Sequence, residues 1–138
     1  MKNFKELIIW QRGIQITKMV YQQLKNIPRE AKGELGPQLI RSAISIPSNI
    51  ADGSSRSSAE DYKRFLEIAL GASFLLETQL IIQDQIVQEN DSDLNKLLLL
   101  IGEEQKLIMS FIKKVAQSIE LEALGSTVLA QSYSLEAQ

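Results

Sequence analysis

Apolar positions along this chain recur at helical spacing, and no stretch alternates as a strand would. Leu7, Trp10, Ile14, Thr17, Tyr21 and Leu24 step by threes and fours, with Ile9, Ile16, Val20 and Ile27 in a second row beside them. Together they predict an amphipathic first helix with a wide apolar stripe. Asn3 and Glu6 supply a capping box at its start, and Pro28 closes it by pushing the preceding residue out of helical dihedrals. Pro28 to Gly36, rich in glycine and charge, is expected to be a loop, after which Gly36 and Pro37 open a second helix.

That second helix carries Leu39, Ile40, Ala43, Ile44, Ile46 and Ile50 in helical register, with Pro47 inside it. A proline there removes one backbone donor and crowds the Ala43 carbonyl, so a kink at Pro47 is expected. Ser45, Ser48 and Asn49 stand around it, short polar side chains able either to satisfy freed backbone groups or to form a binding site. Gly53-Ser54-Ser55 ends the helix, and Ser57-Ser58-Ala59-Glu60 caps a third that runs to about Val87. Its apolar residues fall on several stripes: Tyr62, Phe65, Ala69, Ala72, Leu76 and Leu80; Ile68, Leu75 and Ile82; Leu66, Leu70, Phe74 and Ile81. One partner face cannot bury them all. Beyond a polar turn at Glu89-Asn90-Asp91-Ser92-Asp93, a fourth helix runs from Leu94 through Ile101, Ile108 and Val115 to Ile119.

Four helices with short connections predict an all-α, antiparallel up-down-up-down bundle over residues 1–120. The surplus apolar arcs predict burial against further copies of the chain. From 121 to 138 periodicity fades and small polar residues rise, so a weakly ordered C-terminal tail is expected. The 138 residues suffice for one self-supporting core.

Charge changes the picture only in its distribution. The net charge is -2, yet Met1 to Arg64 holds eleven basic against six acidic residues, and Phe65 to Gln138 four against eleven. Arg41, Arg56, Lys63 and Arg64, with Lys2, Lys5 and Arg12, are the candidates for a phosphate-contacting face, or else form a solvated, salt-bridged one. Asp52, Glu60 and Asp61 stand among them. With no Cys and no His, thiol and Ser-His-Asp chemistry and the usual zinc and haem sites are excluded. Glu67, Glu77 and Glu103 are isolated carboxylates, and Asp52-Gly53-Ser54-Ser55 is too poor in glycine for a phosphate loop. No catalytic residue, metal or cofactor is expected. Trp10 is either a core residue beside Ile14 and Tyr21 or a stacking platform for a base. No run of about 18 uninterrupted apolar residues predicts a membrane span, and Leu7 to Trp10 is too short for a signal-peptide core, so a cytoplasmic protein is expected.

The string Gln38-Leu39-Ile40-Arg41-Ser42-Ala43-Ile44-Ser45-Ile46-Pro47-Ser48-Asn49-Ile50-Ala51-Asp52-Gly53 resembles the signature of four helix bundle proteins known as 23S rRNA-intervening sequence proteins. Leu7 to Gln11 is similar to that family's opening Leu-x-x-Trp-Gln, and Arg64-Phe65-Leu66 with Gly71, Glu77, Gln79 and Leu80 is similar to its third helix. Departures fall at Asp52, where Glu is usual, at Ala72, where Ser is usual, and at Leu75, where Glu is usual. The resemblance gives Trp10, Gln38, Ser45, Pro47, Asn49, Asp52 and Gly53 structural roles. It implies an antiparallel four-helix bundle assembling into a ring-like homopentamer, with no established catalytic activity. A related accessory protein of diversity-generating retroelements forms a basic pentamer that works with reverse transcriptase and nucleic acid. The expectation is therefore a non-enzymatic, homopentameric scaffold, with RNA or DNA as partner through Arg41, Asn49, Arg56, Lys63 and Arg64. The alternative is a scaffold for protein only.

Overall fold

The computed structural model describes residues 3–87 and 91–136, with side chains through residue 129 and at 131. Lys2 and the Glu89-Asn90 part of the polar turn lie outside the described residues. Among those described there are four α-helices and no strand: α1 (Ile8–Gln23), α2 (Arg29–Ser54), α3 (Ala59–Val87) and α4 (Ser92–Glu136).

Three of the helix boundaries have identifiable chemistry. Asn3 caps not α1 but a 3-10 turn, Phe4–Glu6, its side chain accepting from the Lys5 amide at 3.1 Å. Leu7 then adopts an extended conformation before α1 begins. Ser58 caps α3, its hydroxyl oxygen accepting from the Asp61 amide at 3.1 Å. Asp91 caps α4, one carboxylate oxygen accepting from the Asp93 and Leu94 amides at 2.9 and 3.3 Å.

The loop expected over Pro28 to Gly36 is instead helix. A second 3-10 turn, Leu24–Asn26, tightens the end of α1, and Pro28 serves as the N-cap residue of α2. Glycines at 33 and 36 each cost up to about 1 kcal/mol in a helix, but packing overrides that preference. Ala31 and Leu35 pack on the core, and Gly36 is buried beside Leu24. Helical structure continues through both Pro37 and Pro47. At the other end of the chain α4 does not stop near Ile119 but runs to Glu136. Among the described side chains Val115 is its last buried residue, and from Glu120 to Leu129 every side chain is exposed.

α1 packs against α2 and α4, and α3 packs against the same two. Residue pairs run in opposite senses between these neighbours: Gly13 meets Pro47 and Thr17 meets Ala43; Gly53 meets Phe65 and Ser42 meets Gln79; Asn26 meets Asp91 and Arg12 meets Glu103. The sealed core comprises Ile16 and Val20 of α1, Leu39, Ala43, Ile46 and Ile50 of α2, Leu66, Ala69, Leu76 and Leu80 of α3, and Leu97, Ile101 and Ile108 of α4. By length and composition α3 could cross a membrane, having an 18-residue window of mean hydropathy 1.6. Its Ile, Leu and Phe residues raise that mean, while Glu67, Ser73, Glu77, Thr78 and Gln79 interrupt the apolar run. One side of α3, from Phe65 through Ala72 and Leu76 to Gln83, is buried in the bundle.

Candidate functional site

The signature stretch of α2 is held on both sides by contacts that leave no room for a side chain. A β-carbon on Gly13 of α1 would lie 3.1 Å from the Pro47 Cβ and 3.2 Å from its Cδ. A β-carbon on Gly53 would lie 2.7 Å from the Phe65 Cβ of α3. So Pro47 seats α1 on α2 at backbone range, and Gly53 does the same for α3. The Pro47 ring also leaves the Ala43 carbonyl without its usual helical donor. Thr17 of α1 supplies one: its hydroxyl donates to the Gly13 carbonyl at 2.8 Å and to the Ala43 carbonyl at 3.3 Å.

Other polar residues of the stretch are likewise engaged inside the protein. Asn49 donates from its amide to the Ser45 carbonyl at 2.8 Å and to the Ser45 hydroxyl at 2.9 Å. Ser42 donates to Gln79 Oε1 at 2.9 Å within the core. Gln38 is exposed on α2. A shallow groove of about 290 Å³ lies between α1 and α2, lined by Trp10, Ile14, Thr17, Ile44, Pro47, Ser48 and Ala51. Trp10 is half-buried there, packing on the core and edge-on to Phe4 with centroids 5.4 Å apart.

The candidate phosphate-binding cations do not form one free patch. Arg56 pairs with Asp52 at 2.7 Å, Arg64 with Asp61 at 3.6 Å and Lys63 with Glu67 at 3.4 Å. Arg56 and Arg64 are brought together, their guanidinium carbons 4.4 and 4.8 Å from the centroid of one ring, Phe65. Arg12 pairs with Glu103 at 2.7 Å, and Lys5 stands over Phe4. Arg41 is exposed and makes no ion pair among the described residues.

One residue of chemical interest escaped the sequence reading. Glu104 of α4 is fully buried, and both of its carboxylate oxygens lack hydrogen-bond partners among the described residues. Burial pushes its pKa up to about 8, against the opposing pull of the Arg12 guanidinium. The signal was present in the sequence, since Glu104 stands at core spacing among Leu97, Ile101 and Ile108. Gln105 beside it donates to Glu77 at 2.9 Å. No group of three metal-ligating side chains occurs among the described residues.

Large apolar side chains are exposed on the outer surface of α3. Ile68, Leu75, Ile82 and Ile86 follow one helical line, and Phe74 and Ile81 another. Past the bundle, α4 exposes Leu121, Leu124, Val128 and Leu129.

The family model for the 23S rRNA-intervening sequence protein matches residues 5–110, spanning the signature stretch and the Gly13–Pro47 and Gly53–Phe65 contacts. The chain belongs to this family. A comparison with curated proteins finds no match. Among solved structures, the chain is similar to a protein of unknown function from the S23 ribosomal protein family of Bacteroides thetaiotaomicron VPI-5482. The two share 21% identity with a TM-score of 0.67, over 77% of this chain and 99% of that one, a likeness of fold. Neither the 23S rRNA-intervening sequence family description nor that structure names a catalytic activity.

Proposed function

We propose that this member of the 23S rRNA-intervening sequence family is a non-enzymatic cytoplasmic scaffold that works as a homo-oligomer of five chains. The observation that carries the reading is the outer surface of α3, where Ile68, Phe74, Leu75, Ile81, Ile82 and Ile86 are all exposed. So much apolar surface on one helix marks an interaction face. Association of identical chains into a closed ring buries it without leaving an open edge. Light scattering at micromolar concentration tests the reading: a mass near five times 15.5 kDa is expected, and a single-chain mass overturns it.

Nucleic acid is the second reading, favoured by Arg41, which is exposed and lacks an ion pair among the described residues. The carboxylate partners of Arg56, Lys63 and Arg64 weigh against it, because a phosphate must displace them. A titration of structured RNA and duplex DNA at about 50 and 200 mM salt decides between the two. Binding that falls steeply with salt and weakens in Arg41→Ala supports a nucleic-acid partner. No binding at the lower salt leaves the protein-only scaffold.

A further inference from the structure

We propose that the end of α4, from Glu120 to Glu136, is an arm that docks on the Ile68–Leu75–Ile82 line of α3 in a second copy of the chain. The proposal rests on the oligomeric reading above and specifies a contact within that assembly.

The arm leaves its own bundle at Val115 and exposes Leu121, Leu124 and Val128, which at helical spacing line one side of it. Because α4 is continuous to Glu136, the arm cannot turn back onto its own α3. It also lies beyond residue 110, where the family match ends. At 1.5 Å per residue the arm is roughly 25 Å long, and the line from Ile68 to Ile86 is roughly 27 Å. Each apolar stripe thus lacks a cover that the other has the length to provide.

Charge selects between the two exposed lines on α3. Beyond Lys114 the chain has no basic residue and three glutamates, Glu120, Glu122 and Glu136. The Phe74–Ile81 line is bordered on its helix by Glu67, Glu77 and Asp84, which would repel such an arm. No carboxylate borders Ile68, Leu75 and Ile82 at helical spacing; Gly71, Thr78 and Gln85 do, and Arg64 stands one turn before Ile68. Arg41 stands beside Ser42, the residue that bonds Gln79 between Leu75 and Ile82. Its guanidinium, without an ion pair among the described residues, is the natural partner of an arm glutamate. Open space over Gly71, with nothing within 4 Å of a β-carbon there, lets another helix approach closely.

The native chain has no cysteine, so engineered pairs report the contact without background. Chains carrying Ile68→Cys, Leu75→Cys or Ile82→Cys are each mixed with mass-tagged chains carrying Leu121→Cys, Leu124→Cys or Val128→Cys and oxidised. A mixed disulfide of two chains is expected for at least one pairing and is expected to be lost when Arg41→Glu is added. In parallel, the full chain carrying Leu124→Glu and Val128→Glu, which touches no core residue, is expected to scatter at a lower mass than the unmodified protein. An oligomer whose mass is unchanged by those substitutions, with no mixed disulfide in any pairing, overturns the arm contact and leaves the scaffold standing. A single-chain mass for the unmodified protein overturns both. Retention of the full chain on phosphatidylcholine vesicles, with no mixed disulfide, assigns the α3 line to lipid and also overturns the proposal.

Discussion

Gly13 and Pro47 meet so closely that a β-carbon on the glycine would stand 3.1 to 3.3 Å from the proline Cβ, Cδ and nitrogen. A proline ring is tied to its own backbone and cannot swing aside. Gly13→Ala is therefore expected to destabilise the bundle by about 1–2 kcal/mol despite its gain in helix propensity, since overpacking outweighs that gain. Gly53→Ala, facing the Phe65 Cβ at 2.7 Å, is expected to cost more. Gly33→Ala has open space around it and is expected to stabilise by about 0.5–1 kcal/mol. Urea midpoints of the three variants give this ranking directly; a stabilised Gly13→Ala would refute the tight seat.

Thr17→Val keeps the shape of the α1–α2 seam and removes the donor to the Ala43 carbonyl. A loss of about 1 kcal/mol is expected, the net worth of such a bond. Because the same hydroxyl also bonds the carbonyl of Gly13, a compensating variant is informative: in Pro47→Ala the alanine N–H can serve Ala43 from within α2. A double-mutant cycle should then show Thr17→Val costing less in the Pro47→Ala background.

Ser42→Ala leaves Gln79 Oε1 in the core without its donor. The expected cost is about 1–3 kcal/mol, the penalty of a buried acceptor left unpaired. Exchanging both partners for apolar residues of similar size, Ser42→Ala with Gln79→Leu, should recover much of it. Recovery absent in thermal melts would place the role of Gln79 elsewhere.

Glu104 makes stability depend on pH with a definite sign. Its folded-state pKa of about 8 lies above the ordinary value of 4.5, so between those values the folded chain holds a proton that the unfolded chain has released. Stability is fully present below pH 4.5, falls as pH rises through that window, and levels off above pH 8. The whole drop is at most about 5 kcal/mol, and Glu104→Gln, which stays neutral, is expected to abolish it. Urea unfolding at about pH 5, 7 and 9 measures the slope in both proteins. A slope unchanged by the substitution would mean that other groups carry it.

Much of this architecture was legible because helical periodicity reports burial: Ile16, Leu39, Ile46, Leu66, Leu76 and Ile101 were placed on their stripes and lie in the sealed core. Glycine and proline misled at Pro28 to Gly36, where tertiary contacts of Ala31, Leu35 and Gly36 outweigh local preference. The end of α4 was missed because its apolar residues follow no core-facing period, having no core to face within their own chain. Pairing was the other illegible quantity. The spacing of Arg56, Lys63 and Arg64 leaves open whether each meets a phosphate or a neighbouring carboxylate; in the folded chain each stands beside a carboxylate, that of Asp52, Glu67 and Asp61 respectively.

The unbroken run of α4 past the bundle fixes a phase as well as a distance. Each residue between Val115 and Leu121 turns the outer segment by about 100° and advances it by about 1.5 Å. Inserting one alanine there would aim Leu121, Leu124 and Val128 at a different quarter of space while barely changing their reach. Inserting seven would nearly restore the direction and move them about 10 Å outward. The bundle and its outer segment thus behave as a screw and its shank, in which one residue count sets rotation and length together, and only steps near whole turns lengthen it without re-aiming it.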